Sequence, residues 1–338
     1  MEAKKTVTVV LVFFVFVVMI IFFSTYSLES NNNIYEDFVF DNYTYIIEGR
    51  FLLENENNIS VTDYVYVSLP QNSTFQKSYI LYIDPKPIRY TVDEDGNKYA
   101  VVVINAEPGE RTWIRVKYIV TVSGYTINFD EKKAIWPRLD LAKRFTGSTG
   151  YWDVYNVTLI KLAYKVAYSD NPLVVARKIA EWVVPRISYF VNMGRYGSDH
   201  AIVEKFGSYY IVGDCVEVAD IYVTFARILG LPSRTAYGIL LFSHREKQWL
   251  NLSEVEKEGN EILTHWGGHM WPQVYIPPWG WIDVDMLDGM RVNVGIYSNR
   301  HILFGVEETK YYGSSLTSSC IPSYLTLQYV EYDYRGED

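Results

Sequence analysis

Residues 213–234 read GDCVEVADIYVTFARILGLPSR, and the fold turns on this stretch. Asp214 is a strong N-cap, so the pattern predicts a helix that starts beyond Gly213, with Ala219, Tyr222, Val223, Ala226 and Leu229 on one apolar face. Gly230 and Pro232 close it. Cys215 then sits in the first turn, where unsatisfied N–H groups and the positive end of the helix dipole predict thiolate over thiol. A free cysteine is also among the residues most often simply packed in a core, and position alone does not exclude that reading.

A second block begins at His269. It continues through Trp271, Val274, Tyr275, Gly280, Trp281, Asp283 and Asp285, which reads as two short strands joined by a turn at residues 277–280. A hairpin brings a histidine on one strand within reach of a carboxylate on the other, which fixes the imidazole tautomer while the second ring nitrogen faces the sulfur. The order is Cys215, His269, Asp285, the logic of a catalytic triad. Asp283 points to the same face as Asp285 by strand alternation and is the alternate orienter. His265 is out of register for the role. His200, His244 and His301 show no partner pattern and read as surface or packing residues. No further ligand stands at zinc spacing from His265 and His269, so neither a metal nor a cofactor is expected.

Gly213, Asp214, Cys215 and Ala219, followed by Arg227, Gly230, Leu231, Pro232, Ser233, Arg234 and Gly238, resemble the nucleophile motif of the transglutaminase-like superfamily of thiol acyl-transfer enzymes. His269, Trp271, Val274, Tyr275, Gly280, Trp281 and Asp285 resemble its histidine and aspartate strands. The two blocks span roughly residues 170–290 and stand in the right order, which is far more specific than either alone. The resemblance implies a papain-like α+β core, with the cysteine helix packed on an antiparallel sheet that carries the histidine and the aspartate. Gln273 stands where the family often has glutamate and Met286 where it often has proline; neither removes a reacting group. The oxyanion of an acyl transfer needs donors: the Cys215 N–H is one, and Tyr189 and Trp182 are candidates for a second, against a packing role for both. The expected activity is hydrolysis of peptide or protein amide bonds through a cysteine thioester. A cross-linking transglutaminase and a non-catalytic surface binding protein that keeps the fold are the alternatives.

Outward from these blocks, Asn171 and Pro172 predict the start of another helix, with Val175, Ile179, Trp182 and Val183 at helical spacing. Alternating, turn-punctuated sequence between residues 35 and 165 predicts a β-sandwich domain, leaving 166–338 as the catalytic domain with a C-terminal β extension. Residues 6–23 carry no charge and follow Lys4 and Lys5. That pattern predicts a cytoplasmic tail over 1–5, a transmembrane anchor over 6–26, a polar stalk over 27–34 and the bulk of the chain outside the cell, with a cleaved signal peptide as the other reading. Asn-x-Ser/Thr triplets at Asn42, Asn58, Asn72, Asn156 and Asn251 lean the same way. The acidic stretch with Glu254, Glu256, Glu258 and Glu261 reads as a solvated face. A net charge of -9 with no Lys/Arg cluster excludes nucleic acid as a natural partner, and two cysteines, Cys215 and Cys320, exclude a disulfide scaffold.

Overall fold

The computed structural model describes residues 35–191, 194–253, 265–308 and 324–337. The expected tail, anchor and stalk, the acidic stretch from Glu254 to Glu261, and Cys320 lie outside them. Among the described residues no helix is long and apolar enough to cross a membrane.

Period-2 alternation builds the first layer. In Phe38–Glu54 the side chains of Tyr45, Ile47, Phe51 and Leu53 are buried, while those between them are not. This strand lies at the centre of a six-stranded sheet, between Thr326–Glu337 and Arg111–Ile127. Arg245–Asn251 and Ile296–Tyr297 extend the two sides, and Gln76–Asp84 also pairs with Arg111–Ile127. A three-stranded sheet of Val61–Ser68, Lys98–Ala106 and Arg89–Val92 contributes Val65, Val67, Val102 and Ile104 to the same core. Three members of the larger sheet come from beyond residue 165, so this sheet spans the expected domain boundary. Strand partners are chosen by tertiary contact, which local alternation does not record. Two helices were not expected in the first segment: Leu139–Phe145, and Val157–Ala167, which crosses the boundary.

The second layer is a five-stranded sheet in the order Asn293–Val294, Gly280–Asp285, Gly268–Ile276, Ser233–Leu240, His301–Glu307. The cysteine helix, Cys215–Ile228, packs on strands Gly268–Ile276 and Ser233–Leu240, and helices Val157–Ala167 and Pro172–Val183 also pack against it. Residues 217–227 are all buried, so this helix is enclosed rather than amphipathic. Asn171 caps Pro172–Val183 by accepting from the Leu173 and Val174 amides, as its position before Pro172 predicts. Arg227 ties the end of the cysteine helix to three separate segments, donating to the carbonyls of Ser233, Gly147 and Glu308 while its guanidinium lies 4.2 Å from the Trp152 ring centroid.

The sandwich grips the catalytic sheet through buried amides. Gln76 Nε2 donates to Leu303 O at 2.8 Å, Gln71 Nε2 to Phe304 O at 2.8 Å and Asn97 Nδ2 to Val306 O at 2.7 Å, so strand His301–Glu307 is held along its length.

Gly238 sits where this strand shifts register against Ser233–Leu240, and a Cβ there would overlap the Ile302 carbonyl oxygen. Gly238→Ala is expected to lower stability by about 2 kcal/mol, the usual scale for overpacking. Gly147→Ala, with open space around it, should change stability by no more than about 0.5 kcal/mol. Denaturant melts of the two variants check the contrast.

Candidate active site

The cysteine is placed by a capping box. Asp214 accepts from the Val216 amide at 2.9 Å, and the buried Glu217 carboxyl accepts from the amides of Asp214 at 3.2 Å and Tyr196 at 3.3 Å. Gly213 precedes it at φ 145°, and a Cβ there would strike the Glu217 side chain. The expected thiolate is overturned. Burial pushes the Cys215 thiol well above its ordinary value, and the charge of Asp214 adds to this. The Met270 backbone N–H, which faces the sulfur, works the other way. The cap contributes because the positive helix end already carries two carboxyl groups. Burial, then Asp214, also pushes Glu217 upward. Burial and the cap thus both favour the thiol form of Cys215.

The expected base stands on the strand whose next amide faces the sulfur. His269 Nε2 lies 2.9 Å from Asp285 Oδ2, and both residues are buried. The register pairs Gln273 with Asp283, so Asp285 continues to the level of Trp271 and reaches His269 diagonally. The Nδ1 of His269 has no hydrogen-bond partner among the described residues. Burial opposes ionisation of Asp285, but the two imidazoles bonded to it outweigh that cost and hold its carboxyl well below the ordinary range. One of these was not anticipated. His301, expected to pack without a partner, places Nε2 2.9 Å from the same Oδ2. Its place at the start of a strand paired with Ser233–Leu240 puts it there, and no spacing rule links it to Asp285.

Asp283, the alternate orienter, is committed elsewhere. Trp271 Nε1 and Gln273 Nε2 donate to its Oδ1 at 2.6 and 2.8 Å, and the Tyr125 hydroxyl donates to its Oδ2 at 2.5 Å. Tyr189 ends a short strand whose partner is Gly213, and the Cys215 N–H points at its hydroxyl. The two expected oxyanion donors, the Cys215 N–H and the Tyr189 hydroxyl, therefore lie side by side. Trp182 is not at the sulfur: it packs on Phe225, with ring centroids 5.3 Å apart, under Arg186. Phe225 lies ten residues along the helix from Cys215, about 15 Å away at 1.5 Å per residue. His265 stacks on Trp249, His244 bonds the Tyr45 hydroxyl, and His200 is exposed beside Asp199. A buried ion cluster also escaped the sequence: Arg195 bridges Asp220 of the cysteine helix and Glu307.

The donor atoms of His269, Asp285 and His301 lie within 4.8 Å of one another, the one such grouping among the described residues. Each imidazole directs its Nε2 at the same carboxylate oxygen within hydrogen-bond distance.

A cysteine at a helix start thus packs on the antiparallel sheet whose paired strands carry the bonded His269 and Asp285. Residues 160–286 match the family model of the transglutaminase-like superfamily. A putative cysteine protease from Cytophaga hutchinsonii has a similar fold, with TM-score 0.60 and 13% identity over 89% of this chain and 93% of that one. The periplasmic domain of TgpA from Pseudomonas aeruginosa, bound to ethylmercury, aligns with TM-score 0.34 and 15% identity over 71% of this chain and 88% of that one. No curated protein matches the chain at a significant level.

The depressed Asp285 carboxyl means that the folded protein binds this proton more weakly than the unfolded chain does. Its contribution to stability is complete above the ordinary value of 3.8 and is lost as pH falls toward the folded value. Asp285→Asn should cost about 3 kcal/mol at neutral pH by breaking a buried pair. It should also flatten the decline of stability below about pH 4. Urea titrations at stepped pH read both effects.

Proposed function

We propose that the chain is a thiol acyl-transfer enzyme that hydrolyses amide bonds of peptides or proteins. The observation that carries this reading is the buried 2.9 Å bond between His269 and Asp285, on the strand whose following amide faces Cys215. Because the sulfur rests protonated, attack and proton transfer go together. His269 Nδ1 takes the thiol proton as the sulfur adds to the amide carbonyl carbon, and Asp285 offsets the imidazolium charge. The Tyr189 hydroxyl is the donor nearest the developing oxyanion. Collapse breaks the C–N bond, and His269 gives its proton to the departing amine. Water then attacks the thioester with His269 again taking a proton, which releases the acid and restores the thiol.

Attack by a lysine amine in place of water would cross-link proteins through the same intermediate. Hydrolysis is favoured because an enzyme facing dilute medium meets far more water than amine. The uncharged run at residues 6–23 behind Lys4 and Lys5 supports a single-pass anchor over 6–26 with the catalytic part outside the cell.

Cys215→Ala should lower kcat on a peptide library by roughly 10³- to 10⁴-fold while the protein stays folded. Equal inactivity of wild type and variant would overturn the catalytic reading in favour of a binding protein. Primary-amine incorporation outpacing acid release would replace hydrolysis with cross-linking. Tyr189→Phe should reduce kcat by roughly 10- to 100-fold with KM little changed. Steady-state kinetics on a cleaved peptide measures that split.

A further inference from the structure

Both imidazoles on Asp285 converge on one oxygen. Oδ1 already accepts from the amides of Leu287 at 2.8 Å and Asp288 at 3.2 Å, which leaves Oδ2 for His269 and His301, each at 2.9 Å. A carboxylate oxygen only accepts, so both Nε2 atoms carry protons. The two rings then differ. His301 Nδ1 faces the Ser298 carbonyl oxygen at 3.3 Å, a second pure acceptor, so both of its nitrogens are satisfied together only in the imidazolium. His269 Nδ1 meets no such acceptor and is left as a lone pair for Cys215.

We propose that His301 is a positioning residue that competes with His269 for the charge of Asp285, so that protonation of His301 in acid withholds that charge from the reacting imidazole. The inference rests on Cys215, His269 and Asp285 being the reacting set. The ring centroids of the two histidines are 5.6 Å apart, and one buried carboxylate between them balances one cation, not two. With His301 charged, a proton moving from Cys215 to His269 creates a second imidazolium beside the first. When His301 loses its Nδ1 proton it keeps the Nε2 bond to Asp285 and gives up only the longer Ser298 contact. The carboxylate is then free to stabilise a charged His269.

Among the described residues, the other carboxylate near His301, Asp283, is engaged by Trp271, Gln273 and Tyr125. Strand Gly280–Asp285 presents Asp285, strand Gly268–Ile276 presents His269 and Trp271, and Tyr297 contributes a phenol that burial keeps protonated. Arg300, next in the chain, turns to Asp288 at 3.4 Å and to the carbonyls of Leu241 and Phe242. On the paired strand Ser233–Leu240, the residues opposite 301–303 are Leu240, Ile239 and Gly238, all uncharged.

Alkylation of Cys215 by iodoacetamide, followed by mass across about pH 5 to 8, tests this without any substrate. Wild type is expected to lose reactivity in acid with a slope steeper than one proton. His301→Gln, whose amide keeps a donor toward Asp285 but never charges, should fall with a single-proton slope. Its midpoint should move to lower pH by roughly one to two units, from the repulsion of two charges at this separation. Profiles that superimpose in slope and midpoint would overturn the role of His301. Should the variant not fold, the ring-proton NMR signals of wild type decide. His301 must change protonation within the acid limb, and a His301 signal that stays fixed there also overturns the inference. Peptide cleavage is followed in parallel. A shifted alkylation profile without cleavage upholds His301 and removes the proposed reaction, whereas cleavage with unshifted profiles removes His301 alone.

Discussion

An ionised carboxylate buried between two sheets' worth of apolar side chains is a costly object, and Asp285 persists as one because four donors meet it: two imidazole nitrogens and two backbone amides. The hairpin register sets its height, the neighbouring strand brings His269, and a strand from across the sheet brings His301. The cysteine helix is then laid against the same strand, so Cys215 and His269 are held by regular elements rather than by a flexible loop.

The sandwich takes part in this fixing. Tyr125, on its long strand Arg111–Ile127, both donates to the Asp283 carboxylate and accepts from the Asp283 amide. With Trp271 and Gln273 on the other oxygen, that contact immobilises Asp283 two residues before the working carboxylate. The amides of Gln71, Gln76 and Asn97 hold the His301 strand from the same side. A domain that looked like a separate appendage therefore acts as the rigid backing of the site.

What could be read in advance was local. The cap at Asp214, the turn at residues 277–280 and the caps at Asn171 and Pro172 are each encoded within a few residues, and the structure has them. Asp283 and Asp285 could not be separated, because alternation puts both on one face and the partner that claims Asp283 lies 158 residues away. His301 was passed over for the same reason: its bond to Asp285 depends on which strand lies beside Ser233–Leu240. The upward direction of the Cys215 shift comes first from burial, which depends on everything packed over the helix start, and then from the carboxylate of Asp214. The ion cluster of Arg195, Asp220 and Glu307 joins three distant segments and leaves no pattern in any of them.

The strand Thr326–Glu337 lies between Phe38–Glu54 and Arg245–Asn251, hydrogen-bonded to both. During synthesis the earlier of these two neighbours emerges from the ribosome long before residues 326–337 exist. Until then one side of it carries a row of idle amides and carbonyls, an adhesive seam for any other nascent chain nearby. Completion of this sheet is thus a late event in the life of each molecule, and a newborn copy presents an open edge until its last strand arrives.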